Sequence, residues 1–189
     1  MNMKLKRSFT VHSIVRICLA SLASLALVVP VMPAMASDLA LETYFKGKTY
    51  AYGKFSAIDG TSREFRVDLT GRVRGQTLTL REDFVYTDGE RDTKTWIFTK
   101  TGPDTYKGTR EDVLGETTVK VLGDTARFSY RVDLTPAENP SIVRFFDKLT
   151  LADDGTLRNT ALVTKFGFPV ARVKVNFARS EKAARAIKP

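Results

Sequence analysis

Residues 62–69 read Ser-Arg-Glu-Phe-Arg-Val-Asp-Leu, and residues 77–90 read Thr-Leu-Thr-Leu-Arg-Glu-Asp-Phe-Val-Tyr-Thr-Asp-Gly-Glu. In the first stretch Phe65, Val67 and Leu69 alternate with Glu64, Arg66 and Asp68. In the second, Leu78, Leu80, Phe84 and Tyr86 share one face, while Thr77, Thr79 and Asp83 share the other. An apolar face and a charged face repeating with period two mark a strand buried on one side only.

The same alternation recurs outward from this pair. Phe128, Tyr130, Val132 and Leu134 alternate with Arg127, Ser129, Arg131 and Asp133, and Val173, Val175 and Phe177 alternate with Arg172, Lys174 and Asn176. Turn signals separate the runs: Asp59-Gly60, Arg74-Gly75, Asp88-Gly89, Gly102-Pro103, Gly123-Asp124, Asp154-Gly155 and Gly167. The Asp-Gly pairs suit two-residue hairpins, because glycine takes a positive φ without steric cost. Nine or ten strands follow, at about 48–57, 62–73, 76–87, 91–100, 105–112, 115–122, 125–135, 142–152, 156–166 and 169–178. A meander this long buries its apolar face and loses its open edges by closing on itself. The expected fold is all-β: an antiparallel up-and-down β-barrel of lipocalin or calycin proportions, with short helices at the ends. Leu41, Tyr44 and Phe45 would share a helical face before the first strand, and Ser180 would cap a basic helix over 181–188. An outer-membrane barrel is excluded, since lipid would reject an outer face carrying Glu64, Arg66, Asp68, Arg127, Arg131 and Asp133.

The first 36 residues differ in kind. Lys4, Lys6, Arg7 and Arg16 precede the apolar run 17–29, and Pro30 and Pro33 lead to Ala34-Met35-Ala36. That order is a secretory signal cleaved after Ala36. An uncleaved anchor is the rival reading, though thirteen apolar residues fall short of the ~20 that span a bilayer. The expected division is a signal over 1–36, a barrel over 37–179 and a basic C-terminal tail over 180–189, in a periplasmic protein.

Removing the signal changes the chemistry. Cys18 and His12 both lie in it, so no cysteine or histidine follows residue 36. Ser-His-Asp and Cys-His catalysis, structural zinc and disulfides are thereby excluded. Neither a phosphate loop nor a dinucleotide fingerprint is present, and no metal or cofactor is expected. After residue 36 the chain holds 26 basic and 21 acidic residues, and its whole excess of +5 falls in the last twenty. Nucleic acid is therefore not an expected partner. The basic tail instead suits a weak contact with anionic membrane.

Eighteen aromatic residues follow residue 36, among them Trp96. Phe65, Phe84, Tyr86, Phe98, Phe128, Tyr130 and Phe145 are the expected inward aromatics, around either a packed core or a ligand cavity. Glu82 shares the alternation of Leu80 and Phe84, and Asp147 stands between Phe145 and Leu149. Both carboxylates should point inward and need a partner or a proton there. Lys165, in line with Ala161 and Val163, would bring an ammonium to the mouth. The charges of 110–112 mark a corner at which Arg110 and Asp112 pair. The candidate ligand-binding residues are Glu82, Phe84, Tyr86, Trp96, Phe128, Tyr130, Asp147 and Lys165. Three functions stay open. The first is a carrier of a lipid or other apolar small molecule. A lipid-modifying isomerase, cyclase or hydratase working through Glu82, Asp112 or Asp147, with Tyr or Lys165 opposing, is the second. The third is a filled structural or partner-binding barrel.

Several blocks together resemble one bacterial family of exported proteins, catalogued as domain of unknown function 3833 and labelled lipoprotein or lipocalin-like. They are Leu41-Glu42 with Phe45 and Gly47, Gly53-Lys54-Phe55, Phe65-Arg66-Val67, the run Leu80 to Glu90 with Trp96, Asp112-Val113 with Gly115, Lys165-Phe166-Gly167-Phe168, and Val175-Asn176-Phe177. The resemblance spans most of 39–178 and implies an envelope protein with a lipocalin-like barrel. It also points to a setting near lipid chemistry, because genes of the family often lie near those of cyclopropane-fatty-acid-synthase-like enzymes. No catalytic residues carry over from it. The chain departs from the family in two places. Cys18 opens the apolar run instead of ending it, so lipid attachment is not expected, and Lys148 stands where an aromatic residue is.

Overall fold

The computed structural model describes residues 38–135 and 139–189. The proposed signal over 1–36 lies outside the described residues. Ten strands follow in order: β1 (Gly47–Ala57), β2 (Ser62–Arg74), β3 (Thr77–Tyr86), β4 (Arg91–Gly102), β5 (Thr105–Thr109), β6 (Thr117–Leu122), β7 (Thr125–Asp133), β8 (Ile142–Leu151), β9 (Leu157–Lys165) and β10 (Phe168–Ala178). Each pairs antiparallel with the next, and β1 also pairs with β10 from Tyr50–Ala178 to Ala57–Ala171, closing the barrel. Closure leaves no unpaired strand edge.

The alternation seen in the sequence is the inside–outside alternation of the barrel. Val67 faces Phe84 across β2 and β3, and Leu80 faces Trp96 across β3 and β4, all inward. On the outer face Arg81 holds Asp83 at 2.8 Å. The strand bounds agree with expectation to within a residue or two, except around β5. It ends at Thr109, because the chain leaves the ladder where Arg110 turns to pair with Asp112.

The Asp-Gly hairpins differ from the expected two-residue form. At Asp59-Gly60, Ala57 N donates to Thr61 O (2.8 Å) and Gly60 N to Ala57 O (3.2 Å), which encloses three residues. The aspartate accounts for the extra residue. Its side chain accepts from the N–H two positions on, as do Asp88 and Asp154, and the glycine then takes φ near 90° at the first two sites and 77° at Gly155. Two-residue turns occur instead at Gly75-Gln76, Gly123-Asp124 and Phe166-Gly167.

Residues 39–45, including the short helix α1 (Leu41–Tyr44), close one end of the barrel as a plug. Leu39 N donates to Gly123 O (2.8 Å), the Tyr44 hydroxyl donates to Phe177 O (3.2 Å), and Leu39, Leu41, Tyr44 and Phe45 are all buried. Glu42 accepts from Lys100 (2.8 Å) and from the Tyr106 hydroxyl, tying the plug to β4 and β5. At the C-terminus, Ser180 Oγ accepts from Ala183 N and caps α2 (Glu181–Ala186). Its Ala184 packs with Tyr52 and Ala178 on the outer face of β1 and β10. The basic end is thus folded against the barrel.

Candidate functional site

The interior is neither wholly filled nor empty. Leu69, Leu78, Tyr106, Val119 and Leu157 are fully buried, while a cavity of about 600 Å³ occupies the space between the plug and the mouth. Leu41 and Phe45 of the plug form its floor, and Arg63, Tyr86, Asp92 and Leu134 stand at the loop end. This volume lies within the range of small-molecule sites, roughly 300–1,000 Å³.

Aromatic rings make its walls. Trp96 stacks on Phe98 (5.0 Å between centroids), Tyr130 stacks on Phe145 (5.3 Å), and Phe128 packs edge-on to Trp96. Across the cavity, Phe65, Phe84 and Tyr86 form a second group. At the mouth the Arg63 guanidinium lies 3.7 Å over the Tyr86 ring and pairs with Asp88 (2.7 Å) and Glu90.

A polar cluster interrupts the apolar lining. Arg110, almost wholly enclosed, donates from Nε to Asp112 (2.6 Å) and lies over the rings of Trp96 (4.8 Å) and Tyr130 (5.4 Å). Lys94 pairs with Asp92 (3.2 Å) and Asp112 (3.4 Å). Burial opposes the charge on Arg110, and the nearby Tyr130, Glu82 and Asp112 overcome that and hold it protonated. Burial likewise works against the Asp112 carboxylate, but Arg110 and Lys94 win and depress its pKa.

Two other carboxyls in the same cavity, Glu82 and Asp147, shift upward in pKa where Asp112 shifts downward. Glu82 is half-buried and lines the cavity, so the surface it retains belongs to the cavity. Desolvation pushes its pKa up to about 7; Arg110 offsets part of this, and Asp147, Glu111 and Asp112 add to it. Asp147 is only 6% exposed, and burial pushes it up to about 6 against the opposing hydrogen bond from Asn159. Asn159 Nδ2 donates to Asp147 Oδ1, while Asp147 Oδ2 and Asn159 Oδ1 are buried without a partner. The Tyr130 hydroxyl approaches Asp147 closely enough to lower its pKa without completing a hydrogen bond to Oδ2.

Seven of the eight candidate residues meet here: Glu82, Phe84, Tyr86, Trp96, Phe128, Tyr130 and Asp147 all line the cavity. Lys165 does not. At the end of β9 its ammonium donates to Ser141 Oγ (3.0 Å), which draws it to the rim. Arg110 and Asp112 pair as expected, but the guanidinium's position inside the cavity was not legible from a corner that breaks the alternation. Lys94 and Asn159 were missed although parity marks them, Lys94 in step with Trp96 and Asn159 in step with Ala161.

The raised carboxyls give a pH dependence. A carboxyl whose folded pKa exceeds its unfolded value binds more protons in the native state, so stability falls as pH rises between the two values. Thermal unfolding should therefore show these two carboxyls lowering the stability from about pH 4 to about pH 7, with no further loss from them above that. Glu82→Gln should flatten the decline and stabilise the protein at pH 8 by on the order of 2 kcal/mol, at ~1.4 kcal/mol per pKa unit less a discount for cavity water. Parallel curves for the two proteins would mean that Glu82 is not desolvated.

Fold and site together define a closed, ten-stranded, lipocalin-like barrel with a plugged base and a polar cluster inside an aromatic cavity. The chain belongs to the family described as Protein of unknown function (DUF3833), which matches residues 20–179. Rv2717c from M. tuberculosis has a similar structure at 16% sequence identity and a TM-score of 0.54, over 76% of this chain and 100% of that one. The S-type phycobiliprotein lyase CPES from Guillardia theta is similar at 9% identity and a TM-score of 0.54, over 74% of this chain and 90% of that one. These likenesses are of fold. No curated protein matches the sequence significantly.

Proposed function

We propose that this protein is an exported carrier in the bacterial cell envelope that holds one lipid or other apolar small molecule inside the barrel. The observation that carries this reading is the cavity of about 600 Å³, aromatic along its walls and polar at a few converging points. Export rests on the sequence of residues 1–36. The polar points also suggest the chemistry of the head group. Arg110 and Lys94 are already engaged by Asp112 and Asp92, whereas the Glu82 carboxyl lines the cavity with part of its surface open to it. Among the lining residues Glu82, Asp92, Asp112, Asp133 and Asp147 outnumber Arg63, Lys94 and Arg110. A ligand that donates hydrogen bonds, such as an alcohol or amine, fits this interior better than a carboxylate.

The test is native mass spectrometry of the chain purified from a bacterial envelope, followed by titration with hexadecanol, hexadecylamine and hexadecanoate. Trp96, the sole tryptophan, lines the cavity and reports occupancy by its fluorescence. The expected result is a co-purified small-molecule mass, with alcohol or amine binding at least tenfold more tightly than carboxylate. A clean protein mass with no Trp96 response to any of the three would overturn the carrier reading.

One observation favours a second reading. Glu82 and Asp147, with pKa values raised to about 7 and about 6, line one cavity beside Arg110, an arrangement suited to acid–base work on a lipid. Under that reading Glu82→Gln keeps ligand binding and abolishes turnover of the co-purified lipid, measured as the mass of the extracted product. Unchanged turnover removes the second reading and leaves the first.

A further inference from the structure

The outer face of the barrel is unevenly charged, although the sequence over 37–169 balances to zero. On β1–β4 several outward charges answer one another: Lys54 meets Glu64 (3.7 Å), Arg66 meets Asp68 (3.0 Å) and Arg81 meets Asp83, while Lys48, Arg72, Arg74 and Arg91 make no ion pair among the described residues. On β7–β10 the outward charges do not answer one another. Arg131 lies directly opposite Arg144 across the β7–β8 ladder, and Arg127 directly opposite Lys148. Arg172 and Lys174 continue the patch on β10. None of these six makes an ion pair among the described residues. Asp133, the acid at the mouth end of β7, accepts from the backbone N–H groups of Thr135 and Ser141 and pairs with none of these basic side chains. Like charges placed directly opposite each other destabilise a sheet. Folding alone gives no reason for two such pairs side by side.

The mouth end of the same face carries exposed apolar side chains. Phe166 is 89% exposed, Ile58 77% and Phe168 74%, with Leu134 beside them on the β7–β8 connection. Ile58 N donates to Val170 O (3.0 Å), which sets the β1–β2 turn against the β9–β10 hairpin. The register of Arg144 with Thr164 brings the end of β8 to that hairpin as well. Phe166 sits at φ 52°, a left-handed conformation that disfavours a bulky side chain in a turn suited to Asn or Gly. An aromatic ring is thus held out into solvent at a conformational cost.

We propose that this edge, the apolar tips at the mouth together with the basic outer face of β7–β10, docks the protein on an anionic phospholipid membrane. Basic side chains near such a surface are attracted to it, and exposed aromatic and aliphatic tips partition into the headgroup region. The apolar tips favour a bilayer over nucleic acid or an acidic glycan, which would use the charges alone. Docking in this way brings the cavity mouth to the lipid surface. It does not depend on what the cavity holds. The edge also differs from the C-terminal tail, in which Arg185 is engaged by Glu181 (3.0 Å) and α2 lies against β1 and β10.

The test is co-flotation of the chain purified from the envelope with vesicles of phosphatidylcholine, alone or mixed with phosphatidylglycerol. The expected result is binding to the mixed vesicles at least tenfold tighter than to phosphatidylcholine, weakening as salt rises. Arg131→Gln with Arg144→Gln should reduce that binding roughly tenfold or more without lowering the melting temperature, because it removes a like-charge pair. Phe166→Asn should also weaken binding while leaving the melting temperature equal or higher, because Asn accepts the left-handed turn. The proposal is overturned if both vesicle types bind alike or not at all. It is equally overturned if the variants bind as the parent does, or if heparin or duplex DNA binds where mixed vesicles do not.

Discussion

Arg110→Met is expected to lower the stability of the protein by about 3 kcal/mol at pH 7.5, near the range for breaking a buried ion pair from one side. Methionine keeps much of the packing volume under Trp96 and Tyr130, so the loss reports charge more than cavity formation. What remains is Asp112, held by Lys94 at 3.4 Å alone, with Glu82 and Asp147 deprived of the guanidinium that offsets their burial. The sign with pH follows from those roles. Lowering the pH to 5 protonates Glu82 and Asp147, so the defect should shrink there and be largest at pH 8. In a Glu82→Gln background the same substitution should cost less, and the double-mutant cycle by urea unfolding should give a coupling of about 1 kcal/mol or more. A cost that is independent of pH and additive with Glu82→Gln would show that Arg110 acts only through its stem.

The fold was legible because one rule, period two with a single wet face, holds over nearly the whole chain. Where a residue obeyed that rule its direction was legible too, which is why Glu82 and Asp147 were identified as inward carboxyls from spacing alone. The rule fails at ends and corners, and the misjudged residues lie there. Lys165 has the right parity, but at the last position of β9 the chain turns and Ser141 captures its ammonium. Arg110 lies one residue beyond β5, where parity no longer fixes direction; tertiary burial against Trp96 and Tyr130 decides it. Whether the barrel was filled or open was not in the alternation at all. Inward positions on β1 and β10 carry Ala51, Gly53 and Ala171, and the rings facing them are too few to fill ten strands' width above the plug. The basic face was hidden for a different reason. Net charge is a sum along the chain, and only the register shows that Arg131 meets Arg144 and Arg127 meets Lys148.

Gly71→Ala should be the most disruptive single-methyl change in the barrel. Gly71 continues the inward series Phe65, Val67, Leu69, and the plug passes directly over it: a Cβ there would lie 1.8 Å from the Phe45 carbonyl oxygen and 2.7 Å from its carbon. Both contacts are backbone, so no rotamer change relieves them, and either β2 or residues 39–46 must move. The plug is the weaker partner. It is held by Leu39 N to Gly123 O, by Tyr44 to Phe177 O and by the burial of Leu39, Leu41, Tyr44 and Phe45, whereas β2 is laddered on both sides. Burial of a large apolar side chain contributes about 1.5–3 kcal/mol. Partial displacement of four should therefore cost roughly 3 kcal/mol or more, a fall of about 10 °C in Tm for a domain of this size. Gly53→Ala is the control. Its Cβ would lie 2.3 Å from the far edge of the Phe65 ring, which has the cavity to swing into, and 3.1 Å from the Lys174 carbonyl oxygen, which a small shift relieves, so the expected cost is about 1 kcal/mol with a smaller cavity. Hydrogen exchange at Leu39 and Phe45 should accelerate in Gly71→Ala and stay at the parent rate in Gly53→Ala. Equal effects of the two substitutions would mean that the plug yields as easily as a side chain, and that the floor of the cavity is itself movable.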